Sequence, residues 1–353
     1  MQGRGRLPRL AFLSQCHRSL YASLSVNKNR LAAISNITSI SHHNLPTYHF
    51  QICSFRVSAY RMSTPPPPTQ LLFHHDASLA THTTTLLTIT PFSSLPAPDQ
   101  SLFKSPPPTN AFVLTFPSTI FHPQGGGQPS DEGHITLTSP PSVAFSVISA
   151  RHSITNPSQV LHLGFFAPSV PPPDERPLFT PGDQITQTIN ANLRNYHSRL
   201  HTAGHVLGSA VRHLLESQIE DFDELKASHF PDSAACEFMG LIDSKWKEPI
   251  QEKVNEFLAA KMPVEVEWWD EEDFRREGLE RLIPRGKDGE VVKPENTDGG
   301  RWRVVRIVGA EVYPCGGTHV ERTDLCGEVR VRKVGRGKGR SRVGYGVVPG
   351  LEG

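Results

Sequence analysis

The chain has 353 residues, enough for two domains and a leader segment at roughly 100–200 residues per domain. Its 36 basic and 35 acidic residues nearly cancel, so overall charge gives no argument for nucleic-acid binding, and any such argument must come from local patches. No apolar run reaches the ~18 residues that span a bilayer, so no membrane partner is expected. Five cysteines form an odd, sparse set that fits a reducing compartment, where cysteine more often serves metal binding or chemistry.

The N-terminal segment differs from the rest of the chain. Residues 1–75 contain eight arginines or lysines, and the first acidic residue is Asp76. An acid-free leader rich in Arg and Ser is typical of a mitochondrial transit peptide, so residues 1–61 are predicted to be that or a disordered leader. Met62 would start a cytosolic form. A mitochondrial matrix location, a cytoplasmic location or both are therefore expected.

A small all-β domain is predicted to follow a proline-rich linker. Residues 62–70 contain STPPPPTQ, which is typical of a stiff polyproline-like spacer. From residue 71 to 179, short runs rich in Thr, Val, Ile and Phe alternate with turn residues. Short strands at close spacing favour a small β-barrel.

The pattern changes at Thr180. Apolar residues recur at three-to-four spacing from Ile185 and Ile189 to Leu214, which predicts one amphipathic helix or two, with Asp183 as a cap. Further on, a helix and then a strand are predicted on either side of Pro263. The polar loop 284–301, the strand WRVVRIVG and two strands around a basic Gly-rich turn follow, so residues 180–353 are predicted to be α+β.

Two short motifs carry the residues that suit a metal. His201 and His205 are four residues apart in the helical pattern, so both imidazoles lie on one face. Cys315 and His319 have the same spacing after a strand, around a Gly-Gly pair that lets the backbone turn sharply. Nitrogen and sulfur donors suit Zn²⁺, so these four residues are predicted to be tetrahedral zinc ligands.

Each half of this set is weak by itself. Helices often carry two histidines by chance, so two solvated histidines remain the alternative at His201 and His205. The other cysteines of the C-terminal half, Cys236 and Cys326, are predicted to be small core residues.

Four motifs in order resemble the alanyl-tRNA editing proteins of the AlaX type, the free-standing relatives of the alanyl-tRNA synthetase editing domain. They are LHTAGHVLG, PCGGTHV, the Gly-rich TIFHPQGGGQPSDEGHI and the tail KVGRGKGRSRVGYGV, and the resemblance covers residues 71–348. It implies a β-barrel followed by a two-layer α/β editing domain of the threonyl/alanyl type, with residues 180–353 forming that zinc-binding domain. The family's zinc ligands fall on His201, His205, Cys315 and His319.

The resemblance also implies an activity and its residues. The expected enzyme is a zinc-dependent deacylase that hydrolyses the ester of mischarged tRNA(Ala), chiefly Ser-tRNA(Ala), with Gly-tRNA(Ala) as a second cargo. His201, His205 and Gln128 are the expected catalytic residues, and the loop of Gly125–Gly127 is expected to face the pocket. Nucleotide and ATP binding come with the family as a further expectation, although the sequence shows no adenylate-forming motif.

Three interpretations remain open from the sequence. Catalytic zinc normally keeps one coordination position free, whereas four protein ligands make a closed site. A non-catalytic RNA-binding module with a structural zinc is therefore the alternative to the deacylase. A zinc hydrolase of small esters is a third interpretation, against which the basic tail argues.

The C-terminal region carries a local basic patch. Between Val329 and Gly350 the chain has no acidic residue and seven basic ones. The six that are predicted to bind the acceptor end of tRNA(Ala) are Arg332, Lys333, Arg336, Lys338, Arg340 and Arg342. Such binding would depend strongly on salt, and a solvated basic hairpin is the alternative.

Overall fold

The computed structural model describes residues 67–104, 110–138, 143–166, 178–293 and 298–348. The predicted leader, residues 1–61, and the start of the linker lie outside the described residues. All described residues belong to the unit Met62–Gly353. None of the described helices combines the length and the apolar composition that a membrane crossing requires.

The described residues form sixteen strands and four α-helices. The strands are β1 Gln70–Leu71, β2 Thr81–Thr85, β3 Thr88–Pro91, β4 Phe112–Thr115, β5 Ser118–Thr119, β6 Gly133–Leu137, β7 Ala144–His152, β8 Val160–Phe166, β9 Gln184–Ile189, β10 Glu224–Ser228, β11 Ala235–Met239, β12 Val264–Trp269, β13 Trp302–Ile307, β14 Glu311–Pro314, β15 Val329–Gly337 and β16 Arg340–Val347. The helices are α1 Ala97–Gln100, α2 Ala191–Leu215, α3 Lys247–Ala259 and α4 Glu271–Arg276. The chain is thus a mixed α and β protein, as predicted.

The first half is built on a curled, antiparallel seven-stranded sheet. Its strand order is β2-β9-β6-β7-β8-β4-β3, and a separate parallel pair joins β1 to β5. Phe116, Phe121 and Phe145 are fully buried in the core that this sheet encloses. Because β2 and β3 end the hydrogen-bonded order, the sheet is open, and closure into a barrel stays a prediction.

The predicted helix at residues 184–189 is wrong. This segment is strand β9, which pairs with β2 and β6 in the first sheet and alternates between buried and half-exposed positions. Ile185 and Ile189 are four residues apart, a spacing that fits both a helix face and one face of a strand.

Asp183 does not cap a helix but accepts a hydrogen bond from the backbone N–H of Thr180 at 2.7 Å. The helix begins after Asn190, whose side chain accepts from the backbone N–H of Leu193.

Helix α2 is the central element of the second half. It packs against α3 and against the four-stranded sheet of order β10-β11-β16-β15, and most of its residues are buried. A three-stranded sheet of order β12-β13-β14 carries α4 over a smaller core around Trp269 and Trp302. The predicted helix and strand around Pro263 are confirmed as α3 and β12.

Two predictions about cysteines are also confirmed. Cys236 and Cys326 are fully buried in the core around α2. The thiol of Cys236 donates to the carbonyl oxygen of Gly204 at 3.4 Å, and burial raises the pKa of the Cys326 thiol to about 12. The predicted domain ranges stay predictions, although β9 shows that the first sheet takes a strand from beyond residue 179.

Candidate metal centre

The structure brings the four predicted ligands together. His201 and His205 lie one turn apart on α2 and their rings stack with centroids 4.9 Å apart. Cys315 follows β14 directly, and its Sγ lies 3.4 Å from Nε2 of His201 and 3.3 Å from Nε2 of His319. One nitrogen or sulfur atom from each of the four residues lies within 4.8 Å of all the others. A segment far downstream of the helix in the sequence thus completes the cluster.

Gln128 fixes the orientation of His201. Its Oε1 accepts hydrogen bonds from the backbone N–H of Thr318 at 3.0 Å and from Nδ1 of His201 at 2.7 Å. Because a carbonyl oxygen can only accept, Nδ1 of His201 carries the proton and Nε2 keeps its lone pair. The lone pair therefore points toward Cys315 and the centre of the cluster.

The other two histidines also suit a metal ion. Nδ1 of His319 lies 3.3 Å from the hydroxyl of Thr202, which leaves Nε2 to face Cys315. Nε2 of His205 is buried and has no hydrogen-bond partner among the described residues. A buried nitrogen without a partner is costly in a protein interior, and a cation among the four residues would satisfy it. The donor set therefore fits a metal.

Burial controls the charge state of these groups. It lowers the pKa values of His201 and His319 well below their usual value and that of His205 to about 3. The three imidazoles are therefore neutral and able to donate lone pairs. Burial raises the pKa of the Cys315 thiol, while the guanidinium of Arg303 opposes that shift. Metal binding would release the thiol proton.

Gly317 is required by the close approach of the CGGTH turn to the helix. A Cβ atom on Gly317 would overlap the imidazole of His201 and lie 2.7 Å from Oε1 of Gln128. A Cβ on Gly316 would meet only Nε2 of His74, at 3.6 Å. The second glycine of the pair, rather than the first, lets Cys315 and His319 reach the cluster.

A cavity of about 660 Å³ opens beside the cluster. His201, His205 and Cys315 form part of its wall, and the Gly-rich loop contributes Gly126 and Gly127. Gln128, one of the predicted catalytic residues, is instead fully buried behind His201. It is a positioning residue in this geometry, because its amide is occupied by His201 and Thr318.

The wall beyond His205 carries a buried carboxyl group. Glu224 lies against α2 where Gly208 has no side chain, and a Cβ there would be 2.7 Å from both carboxyl oxygens. Its Oε2 is buried without a hydrogen-bond partner in the described part of the chain. Burial raises the pKa of Glu224 to about 7, although the charge of Arg212 opposes this. Arg212 itself forms ion pairs with Glu216 and Glu311.

The histidine that sequence reasoning missed is His229. Its ring stacks on that of His201 with centroids 4.1 Å apart, and it lines the cavity. It opens the stretch HFPD between β10 and β11, and no spacing to another histidine marks it. Only the pairing of β10, β11 and β16 under α2 brings it to the cluster.

The predicted RNA-binding residues lie on the β15–β16 hairpin, and none of them lines this cavity among the described residues. Arg336 forms an ion pair with Asp243, and Arg342 forms one with Glu237. The structure describes no acidic partner for Lys338 or Arg340 at the turn. Part of the predicted patch is thus neutralised by acidic residues of neighbouring segments, and its role stays a prediction.

The chain matches known proteins in the region of these motifs. Residues 302–344, which include β13, Cys315, His319 and most of the basic hairpin, match the family described as "Threonyl and Alanyl tRNA synthetase second additional domain". An alanine–tRNA ligase of Methanothermobacter thermautotrophicus is 29% identical over 223 residues, which are 63% of this chain and 22% of that protein.

A second kind of relative is shorter. The alanyl-tRNA editing protein AlaX-L of Pyrococcus horikoshii is 26% identical over 213 residues, which are 60% of this chain and 45% of that protein. The chain thus spans less than half of the length of either relative. The sequence motifs, the His/Cys cluster that they form and these matches show that the chain is similar to the AlaX-type alanyl-tRNA editing proteins.

Proposed function

We propose that this protein is a trans-acting editor that hydrolyses the ester of mischarged tRNA(Ala), with Ser-tRNA(Ala) as the main cargo and Gly-tRNA(Ala) as a second one. The observation that carries the proposal is the position of the His/Cys cluster in the wall of a 660 Å³ cavity. That volume lies within the ~300–1,000 Å³ of ordinary small-molecule sites. The relatedness to an alanyl-tRNA editing protein supports the choice of tRNA.

His201, His205, Cys315 and His319 would hold one zinc ion. A zinc ion bound there would supply a Lewis acid that polarises a carbonyl group and lowers the pKa of nearby water. The chain's own residues set the geometry: Gln128 holds the ring of His201 through Nδ1, and Thr202 contacts Nδ1 of His319. In the reaction, water adds to the ester carbonyl, the bond to the tRNA 3′ oxygen breaks, and that oxygen takes a proton.

Serine is the expected cargo for a physical reason. It differs from alanine only by a hydroxyl, and the apolar aminoacylation pocket of a synthetase rejects such an addition poorly. A second site with a hydrogen-bonding wall discriminates much better against a cargo that lacks the hydroxyl, by ~10⁴ or more. The cavity has such a wall, formed by the polar groups of His229 and Glu224.

One observation favours the alternative of a non-catalytic RNA-binding module. All four ligand atoms face one another, and four protein ligands are typical of a structural zinc site. In that case the metal would support the turn from Cys315 to His319 rather than the reaction. A mitochondrial location and ATP binding stay untested predictions.

The test is deacylation of Ser-tRNA(Ala) and Ala-tRNA(Ala) by the chain from Met62, with bound zinc quantified. We expect rapid loss of serine with alanine spared, and loss of that activity together with zinc in Cys315→Ala. The matched control is Cys326→Ala, which removes a buried thiol outside the cluster. A protein that binds zinc at one per chain and cleaves neither ester would support the binding module instead.

A further inference from the structure

His229 is a buried imidazole beside the cluster to which the proposed metal centre gives no role. The ring of His201 stacks on one face of this imidazole, with the two ring centroids 4.1 Å apart. Its backbone N–H donates to the carbonyl oxygen of Gly127 at 2.9 Å, which ties it to the Gly-rich loop. His229 is 1% exposed and lines the 660 Å³ cavity, so its contacts with a ligand can come only from that cavity.

A chain of two hydrogen bonds fixes its tautomer. The hydroxyl of Tyr345 donates its single proton to the carbonyl oxygen of Leu200 at 3.0 Å. The same hydroxyl oxygen lies 2.7 Å from Nδ1 of His229, so Nδ1 must carry a proton and donate it. Nε2 is then left with a lone pair, and it has no hydrogen-bond partner among the described residues. His229 therefore offers the cavity a hydrogen-bond acceptor and no donor.

Two glycines make room for this arrangement. A Cβ on Gly204 would overlap the ring of His229 and lie 2.6 Å from the hydroxyl of Tyr345. Gly127 has a φ of +80°, and a Cβ there would lie 3.1 Å from Cδ2 of His229. A side chain at Gly204 would displace the imidazole, while one at Gly127 would first meet the backbone carbonyl oxygen of Ala227, at 2.5 Å. The two glycines therefore let the helix and the Gly-rich loop lie close to the strand end that carries His229.

The aminoacyl group has two hydrogen-bond donors, its α-ammonium and, for serine, its hydroxyl. The ammonium is charged and is best matched by an anion, which the cavity offers among its acidic wall residues Asp223, Glu224 and Glu311. The neutral acceptor at His229 matches the neutral hydroxyl. Alanine would leave this acceptor buried without a partner, which costs binding energy in the site.

We propose that Nε2 of His229 accepts a hydrogen bond from the side-chain hydroxyl of the seryl group and is the residue that distinguishes serine from alanine. This inference rests on the proposed deacylase function and names the specificity determinant of the same cavity. His229 touches the cargo rather than the reacting ester, so it acts on selection and not on bond cleavage.

The surroundings of His229 favour an acceptor over a general base. A base must become an imidazolium in the reaction, and no described carboxylate stabilises a positive charge on this ring. Nδ1 faces a neutral hydroxyl, and the stacked neighbour is another imidazole.

The kinetic test compares Ser-tRNA(Ala) and Ala-tRNA(Ala) in single-turnover deacylation by wild type, His229→Phe and Tyr345→Phe, with zinc content and thermal midpoint measured. His229→Phe keeps a ring against His201 but loses the acceptor. We expect its rate with the seryl ester to fall by about 100-fold or more, with less than about a threefold change for the alanyl ester. Tyr345→Phe removes the hydroxyl that fixes the tautomer of His229. We expect this variant to lose less of its rate than His229→Phe does, and only with the seryl ester.

Equal losses for both esters, or no loss for either, would overturn the role of His229. A second measurement does not depend on a variant or on turnover: ¹⁵N NMR of the histidine-labelled full chain with L-serinamide or L-alaninamide. We expect one Nε2 resonance to shift with serinamide only, and the same response to both amides would reject the proposal. If the wild-type protein cleaves neither ester, the deacylase function is rejected. The NMR result would still decide whether His229 accepts a hydrogen bond from a seryl hydroxyl.

Discussion

Oε1 of Gln128 accepts a hydrogen bond from Nδ1 of His201 at 2.7 Å, across 73 positions of the chain. The same amide donates from Nε2 to the hydroxyl of Thr318 at 2.9 Å. One buried side chain from the Gly-rich loop thus orients a ligand on α2 and holds the turn that carries the other pair of ligands.

Replacing Gln128 by Met should weaken metal binding without removing a ligand. The side chain keeps its length, but Nδ1 of His201 loses its acceptor and the ring loses its fixed tautomer. We expect the zinc affinity to fall by about 10–100-fold, as is usual when a metal-bound histidine is deprived of its hydrogen-bond partner. Competition with a chelator measures this affinity.

The control for this variant is Gln124→Met. Its side chain makes no hydrogen bond among the described residues, so the substitution should leave zinc affinity unchanged. Equal zinc affinity in both variants would mean that Gln128 does not position His201.

The two glycines of the CGGTH turn should respond differently to Ala. Gly317→Ala puts a methyl group into the ring of His201, so we expect loss of bound zinc and of deacylation. Gly316→Ala meets only His74, at 3.6 Å, and should keep both. Zinc content by atomic emission compares the two variants. Retention of full zinc by Gly317→Ala would contradict the close approach of this turn to His201.

Glu224 should make stability depend on pH. The usual pKa of 4.5 is raised to about 7 in the folded protein, so the folded state binds its proton more tightly than the unfolded state. The contribution of Glu224 to stability is therefore fully present below pH 4.5 and is lost as pH rises through 7. The variant Glu224→Gln lacks this titration. We expect the stability of wild type relative to the variant to fall by on the order of 3 kcal/mol between pH 4.5 and 8.

Denaturant unfolding at matched zinc content gives this difference at each pH. Arg212 is present in both proteins, so it does not contribute a titration of its own over this range. Parallel stability curves for wild type and Glu224→Gln would show that the carboxyl of Glu224 is not desolvated in the folded state.

The exposed charges of the hairpin turn should contribute to tRNA binding through phosphates. Lys338 and Arg340 have no acidic partner among the described residues, in contrast to Arg336 and Arg342. In the double variant Lys338→Ala/Arg340→Ala, we expect weaker tRNA binding. We also expect a smaller salt dependence, with the slope reduced by about 1 for each phosphate that the protein no longer binds. Filter binding at several salt concentrations measures both.

The double variant Lys287→Ala/Lys293→Ala removes the same charge from the polar loop 284–301 and serves as the control. An equal decrease in both double variants would indicate a general charge effect. In that case the hairpin would be a solvated surface without a specific role.

Much of the second half was predictable from the sequence because its signals are local. The amphipathic period after residue 190, the junction at Pro263 and the alternating strands of the basic hairpin all depend on near neighbours in the chain. The segment QITQTI was predicted wrongly for the same reason. The spacing of Ile185 and Ile189 fits both the helical and the strand period. Only the pairing of β9 with β2 and β6 makes this segment a strand.

The sequence by itself determined which residues can form the cluster, because two pairs at four-residue spacing carry the donors that zinc prefers. Only the tertiary structure decided how they are oriented and what lies beside them. The hydrogen bond between Gln128 and His201, the chain from Leu200 through Tyr345 to His229, and the space left by Gly317 join segments that are distant in sequence. Local spacing cannot encode such interactions, since they arise only when helix α2 packs on the sheets around it.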